Sequence, residues 1–209
     1  MAPGVISGRL ASMPRWPPDA RARLQEAAFA LYDELGFDEA TVAEITERAG
    51  LTKRTFFRYF ADKREVLFWG AEHIDELFVT TVQAAPAAAG ALDAVSLGLD
   101  AVAARSDEQG EANVRRYRII TASPELRERQ LIKFTALAAA VARALRARGV
   151  GDPAAILAAE AGLTALRVAS DGWIDETNEK PLRQLIAEVL AQLRAVASAK
   201  PSLIPAQPR

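Results

Sequence analysis

Proline placement leaves this chain little choice of architecture. Of 11 prolines in 209 residues, four precede Asp19 (Pro3, Pro14, Pro17, Pro18) and three follow Lys200 (Pro201, Pro205, Pro208). The long middle holds only Pro86, Pro124, Pro153 and Pro181, and none lies between Asp19 and Ala85. Proline removes a backbone donor and clashes with the preceding turn, so its absence permits helix wherever the other residues favour one. Here they do: 44 residues are alanine and 50% of the chain is hydrophobic, the composition of packed helices. The fold class that follows is all-α, with residues 1–18 and 200–209 as disordered tails. The chain has no cysteine, which excludes a disulfide scaffold and thiolate metal sites. The opening MAPGVISGRLASMPRWPP lacks the continuous apolar core of a secretory signal, and no apolar run reaches the roughly 18 residues of a membrane span. A soluble cytoplasmic protein with no membrane partner is expected.

Helix start and stop signals divide the middle into about nine helices. Asp19 precedes a segment whose apolar positions Leu24, Ala27, Ala28, Leu31 and Leu35 recur at three- and four-residue steps before Gly36. Thr41 with Glu44 has capping-box spacing for a short second helix ending at Gly50, and Thr52 can cap a third from Lys53 to Phe60. Asp62 with Glu65 repeats that spacing and predicts a long fourth helix from Lys63 to about Gln83. Helices near 88–104 and 111–121 follow, then one opened by Ser123-Pro124 and ending at Gly149. Asp152-Pro153 and Thr177 open the last two, roughly 154–174 and 179–199. The domain division expected is 19–65 and 66–199.

Function is concentrated in ATVAEITERAGLTKRTFFRYFADKREVL, residues 40–67. Two short helices flank Ala49-Gly50-Leu51-Thr52, where the glycine can take the positive backbone angle of a sharp corner. Val42, Ile45, Ala49 and Leu51 would form the inner face, closed by Phe56 and Phe60 at i and i+4. Lys53, Arg54, Thr55, Arg58 and Tyr59 would then face outward. Cations, a hydroxyl and a phenol on a two-turn helix suit insertion into a DNA major groove. From Lys53 to Arg64 five basic residues and Asp62 give +4. A solvated charged face is the ordinary alternative for such a cluster, but the turn glycine, the buried pattern and two threonine caps in register favour DNA.

The segment from about Leu24 to Leu67 resembles the DNA-binding domain of the TetR family of bacterial repressors. The likeness runs through Gly36-Phe37, Thr41-Val42, Ile45, Ala49-Gly50, Thr52, Thr55, Phe60 and Lys63. It implies a three-helix helix-turn-helix domain followed by a helical ligand-binding and dimerisation domain. By that resemblance Lys53 and Arg54 read base edges, with guanine a natural partner for Arg54. Thr41, Thr52, Thr55, Tyr59 and Lys63 match positions that hold the phosphate backbone, and Arg58 could do either. Phe57 stands where the family commonly has a tyrosine, which removes a phosphate-binding hydroxyl, and Thr46 replaces a frequent alanine.

One short recognition helix supplies too few contacts for selectivity, so dimerisation on two half-sites is expected. Ala158, Ala161, Gly162, Ala165 and Ala169 make a small-residue face. Leu182, Leu185, Ile186, Val189, Leu193 and Val196 make an apolar stripe, and two such pairs would form a four-helix interface. Both stripes could equally fill a monomer core; the resemblance favours the homodimer. Trp69, His73, Phe78, Tyr117, Phe134 and Trp173 are candidate walls of an effector cavity among the middle helices, although most aromatic residues at helical spacing are ordinary core. Arg115, Arg116 and Arg118 lie in a stretch, Glu111–Val150, of net +6 that follows one, Glu65–Gly110, of net −7; Arg115 and Arg118 are candidates for an anionic group. Residues 115–127, RRYRIITASPELR, and the later ALRVASDGWI are similar to the ligand-binding half of an actinobacterial TetR subgroup that includes the mycofactocin regulator. That likeness implies an acyl-coenzyme A, a fatty acid or a similar long-chain effector.

No enzyme is expected. The single histidine, His73, has no cysteine partner, no metal-ligand spacing appears, and without strands there is no phosphate loop. Asp171, Asp175 and Glu176 read as a solvated helix end. Neither cofactor nor metal is implied. The principal reading is a repressor that binds a palindromic operator as a dimer and is released when an effector tilts the fourth helix. The competing one is a helical small-molecule-binding dimer whose helix-turn-helix is architectural or vestigial.

Overall fold

The computed structural model describes residues 20–175 and 177–198. Both tails, the Asp19 cap and Glu176 lie outside the described residues. Among those described, secondary structure consists of ten α-helices and no strand, divided between two compact units that meet in sequence between Val66 and Leu67.

The first unit contains α1 (Ala20–Leu35), α2 (Val42–Arg48) and α3 (Lys53–Tyr59). At α2 the capping box forms in full: the Thr41 hydroxyl accepts from the Glu44 backbone N–H at 3.2 Å, and the Glu44 carboxylate accepts from the Thr41 N–H at 2.9 Å. Thr52 caps α3 by accepting from the Thr55 N–H at 3.2 Å. Between them Gly50 sits at φ +61°, and a Cβ there would come within 3.0 Å of the Arg23 guanidinium. That guanidinium donates to the Ala49 carbonyl, so the corner is fixed by conformation and by a cation on the carbonyl end of α2. Leu24, Ala28, Ile45 and Phe56 are fully buried, with Phe60 closing the core at 2% exposure. Val42 and Leu51 are only half-buried. Buried Thr46 satisfies its hydroxyl on the Ala43 carbonyl at 2.9 Å.

The long fourth helix expected from Lys63 to Gln83 is broken. Asp62 does start a helix, accepting from the N–H groups of Arg64 at 2.8 Å and Glu65 at 3.1 Å. That helix, α4 (Glu65–Phe68), lasts four residues, and α5 (Ala71–Ala84) begins after Gly70 at φ +81°. A right-handed helix cannot continue through a left-handed residue, and capping spacing read at Asp62 carries no information about Gly70.

The rest of the second unit is α6 (Ala91–Gln109), α7 (Glu111–Ala122), α8 (Pro124–Ala147), α9 (Asp152–Trp173) and α10 (Leu182–Ser198). Its core depends on two close approaches. A Cβ on Gly98 of α6 would lie 2.3 Å from the Phe78 ring of α5, and one on Gly162 of α9 would lie 2.3 Å from Val95 of α6. Helix ends are held by remote side chains. Asp107 of α6 accepts from the Leu182 N–H at 2.8 Å and the Arg183 N–H at 3.2 Å, capping α10. Thr177, read from sequence as the opener of that helix, instead bonds Asp175 at 2.6 Å. Arg148 donates to the carbonyls of Gln83, Ala85 and Pro86 and seals the C-terminal end of α5.

Candidate functional site

Helix α3 presents one face to its core and one outward. Phe56 is buried, whereas Lys53, Arg54, Phe57, Arg58 and Tyr59 are exposed and Thr55 is half-buried. Phe57, 56% exposed, packs its ring edge-on against Phe56 with centroids 5.4 Å apart. Arg58 stacks over Tyr59 at 4.8 Å and donates to its phenol at 3.0 Å. Lys53 and Arg54, on the first turn, make no hydrogen bond or ion pair among the described residues. The Thr41 hydroxyl is already engaged with Glu44, and Thr52 with Thr55.

Two of the five cations counted in the +4 segment have other employment. The Lys63 ammonium donates to the carbonyls of Phe37 at 2.7 Å, Asp38 at 2.9 Å and Ala40 at 3.0 Å, and lies 4.4 Å from the centre of the Phe37 ring. All three N–H donors are taken. Lys63 therefore fastens the α1–α2 connection, and the phosphate role that the family resemblance implied for it is not what the geometry offers. Arg64 closes on Asp62 through two N–H groups at 3.0 and 2.6 Å. Burial opposes ionisation of Asp62, but the Arg64 side chain and two backbone N–H groups outweigh it and hold the carboxyl below its usual range. The cationic surface thus narrows to Lys53, Arg54 and Arg58. Of the acidic residues in this unit, Glu34 is paired with Arg48 at 2.6 and 2.7 Å, which lowers its pKa. Hydrogen bonds from Thr41 lower that of Glu44.

In the second unit, α7, α8 and α9 enclose a cleft of about 480 Å³. Tyr117, Leu131, Phe134 and Ile174 are its apolar walls; Thr121, Arg127, Gln130, Arg167, Ser170 and Asp171 are polar. Of the expected cavity residues, Tyr117 and Phe134 line it, and Trp173 stands behind Tyr117 with ring centroids 6.1 Å apart. The others do not. Phe78 is fully buried against Gly98, Trp69 is 44% exposed, and His73 is exposed on α5. Arg115 is not part of the lining, and Arg118 donates to the Ile174 carbonyl at 3.0 Å from outside it. Arg116 is committed to the Leu67 carbonyl at 2.5 Å. Consecutive arginines on a helix project in different directions, so the RRYR run does not converge on one ligand. The cations that do reach the cleft, Arg127 of α8 and Arg167 of α9, lie outside the arginine run, in the two stretches RRYRIITASPELR and ALRVASDGWI that carried the ligand-domain resemblance.

The expected interface residues also separate. Ala158, Gly162, Ala165, Ala169, Leu182 and Ile186 are buried in the chain's own core, so the small-residue face serves α9–α6 and α9–α10 packing and not a partner. Leu185, Val189 and Leu193 are half-buried at its edge. The outward stripe of α9 is Leu157, Ala161, Thr164 and Val168, with Leu157 68% and Val168 45% exposed. On α10 Ala187, Ala191, Ala195 and the 76% exposed Val196 face out. Small residues signal a close approach without saying to what. Among the described residues, no group of three or more His, Cys, Asp or Glu side chains is placed to hold a metal ion, and no helix is long and apolar enough to cross a membrane.

Comparison with known proteins agrees with this geometry. Residues 24–68 match the family of bacterial regulatory proteins called the tetR family. The HTH-type transcriptional regulator TcmR of Streptomyces glaucescens is 30% identical over 134 residues, which cover 61% of this chain and 59% of that protein. The match thus spans less than two thirds of the relative's length. Among solved structures, SmeT, the repressor of the Stenotrophomonas maltophilia multidrug efflux pump SmeDEF, superposes with TM-score 0.58 at 23% identity, covering 84% of this chain and 89% of that one. Thermus thermophilus FadR, a TetR-family repressor in complex with lauroyl-CoA, superposes with TM-score 0.53 at 21% identity, over 90% of this chain and 100% of that one. At these identities the structural likeness establishes the fold.

Proposed function

From a chain whose residues 24–68 match the tetR family of bacterial regulatory proteins, we propose a dimeric DNA-binding transcriptional regulator, a repressor released from a palindromic operator by a small lipophilic effector. The carrying observation is α3: a capped two-turn helix, anchored by Phe56 and Phe60, that leaves Lys53 and Arg54 exposed and unpaired among the described residues on its first turn. Arg54 reads a base edge, with guanine its natural partner, and Lys53 reads beside it. Arg58 and Tyr59 contact the backbone and set register, and Thr41, Thr52 and Thr55 join them by exchanging their present hydroxyl partners, Glu44 and each other, for phosphate oxygens. Phe57 adds apolar contact.

Two copies would pair through the outward stripe of α9 and the alanine face of α10, which presents recognition helices to half-sites about one helical turn apart. The cleft between α7, α8 and α9 is the effector site in this reading, and an acyl-coenzyme A or fatty acid is the first class to test, as in the FadR complex. In this reading coupling runs through the chain itself at α4. Arg116 of α7 bonds the Leu67 carbonyl, and Arg129 and Lys133 of α8 lie 5.8 and 5.4 Å from the centre of the Phe68 ring. Leu67 and Phe68 end α4, through which the chain passes from one unit to the other. A ligand between Tyr117 and Phe134 moves the helices that grip it, and it shifts DNA affinity only by its unequal affinity for the two arrangements.

An electrophoretic shift with the chain's own upstream DNA tests the reading. A salt-sensitive shift is expected, with Arg54→Ala losing preference for the specific sequence over a scrambled one. Absence of any shift at low salt would overturn it.

A further inference from the structure

Ser170 holds an anomaly. Helical serine and threonine hydroxyls commonly donate to the carbonyl one turn back, and five in this unit do: Thr80 to Glu76 and Thr81 to Leu77 at 2.7 Å, Ser96 to Leu92 at 2.7 Å, and Thr121 to Tyr117 and Thr135 to Leu131 at 3.0 Å. Ser170 is 2% exposed, and its Oγ has no partner among the described residues. It also lines the cleft. A buried hydroxyl without a partner is destabilising, and native proteins retain one where something else completes it.

Its surroundings specify what that is. Arg167, Ser170, Asp171 and Ile174 lie at i, i+3, i+4 and i+7 and so share one stripe of α9, all four facing the cleft. Arg167 and Asp171 approach only to 3.9 Å, and both side chains are about half exposed, which is a weak pair. Arg127 enters from α8. Two guanidinium groups against one carboxylate leave the lining one positive charge, and the remaining walls, Tyr117, Leu131, Phe134 and Ile174, are apolar.

We infer that the cleft takes an apolar monoanion, a hydrocarbon or aromatic body bearing a single carboxylate, whose oxygen accepts from Ser170 Oγ while Arg167 and Arg127 balance its charge. This deepens the effector reading and rests on it for biological meaning, but binding itself is measurable without DNA. Isothermal titration of the full chain with dodecanoate and with dodecanol, at submicellar concentration, separates head group from body. Dodecanoate binds at least about tenfold more tightly than dodecanol. Ser170→Ala weakens dodecanoate about tenfold, leaves dodecanol unchanged, and keeps or raises the melting temperature of the unliganded protein, because it deletes an unpaired group. A structural serine would do the reverse, lowering that temperature and leaving affinity alone. Equal binding of the two probes, no binding of either, or an unaltered dodecanoate affinity in Ser170→Ala would overturn the inference. Serine-dependent binding that leaves a protein–operator complex intact would instead overturn the effector reading and spare this one.

Discussion

Replacing Lys63 separates a clamp from a phosphate contact. In Lys63→Met three carbonyls, of Phe37, Asp38 and Ala40, lose donors at 2.7, 2.9 and 3.0 Å, and the Phe37 ring loses its cation. A hydrogen bond to a charged group contributes roughly 1.5–3 kcal/mol when shielded. This site is half-exposed, so water replaces much of that, and the cation–π contact adds about 0.5 kcal/mol. A loss of about 2 kcal/mol follows, or roughly 30-fold in the opening equilibrium of the first unit. Native-state hydrogen exchange at the amides of Ala49, Phe56 and Phe60, each bonded inside this unit, reads it directly. Lys63→Arg should not rescue, because a planar fork cannot meet three carbonyls arranged around one ammonium. Meanwhile the slope of log binding constant against log salt should stay unchanged. Were Lys63 a phosphate contact, Lys63→Met would lower that slope by about one unit, and Lys63→Arg would restore it. Unchanged exchange protection together with a shallower slope refutes the clamp.

Other consequences are more direct. Gly98→Ala puts a Cβ 2.3 and 2.6 Å from the Phe78 ring, so the melting temperature should fall by the equivalent of about 2–3 kcal/mol, and Phe78→Leu in the same chain should recover part of it. Val168→Glu, on the outward stripe of α9, should leave the circular dichroism unchanged while sedimentation shifts toward monomer; an unaltered dimer would remove α9 from the interface. Asp75 is half-buried near Glu72, Lys133 and Arg116, and burial raises its pKa. A raised folded pKa makes the folded state hold its proton longer, so stability contributed by this group falls as pH rises from the unfolded value near 3.9. The stability of Asp75→Asn relative to the native chain should therefore grow as pH increases from about 3.5, and a difference that shrinks would be decisive against it.

Local signals are legible in the sequence because their physics is local. Thr41 with Glu44, Thr52 before Lys53, and Gly50 at the corner each act within a few residues, and each forms as spaced. Gly70 shows the limit: tryptophan and glycine at 69 and 70 interrupt an otherwise continuous helical pattern, but a single glycine inside a helix is often tolerated. Only the backbone shows it at φ +81°. Gly162 and its alanine neighbours announce close packing, and sequence alone cannot assign the partner. Val95, which would lie 2.3 Å from a Cβ at Gly162, belongs to the same chain.

Charge is the least legible feature, for a reason that also explains why the site lies where it does. Counting gives +4 around α3 and +6 over residues 111–150, and both sums overstate what a ligand or a phosphate would meet. Lys63, Arg23, Arg116, Arg118 and Arg148 all donate to backbone carbonyls more than twenty residues away. Helices end in unsatisfied carbonyls, and a chain with ten helices among its described residues has many ends. Long flexible cations are the side chains that can reach them, so much of the basic surplus is architectural. What remains uncommitted at the two sites is small and specific: Lys53 and Arg54 at the head of α3, Arg127 and a weakly paired Arg167 at the cleft. At those four an anion can gain a contact without displacing a carbonyl, and mutating them should change binding without unfolding the protein.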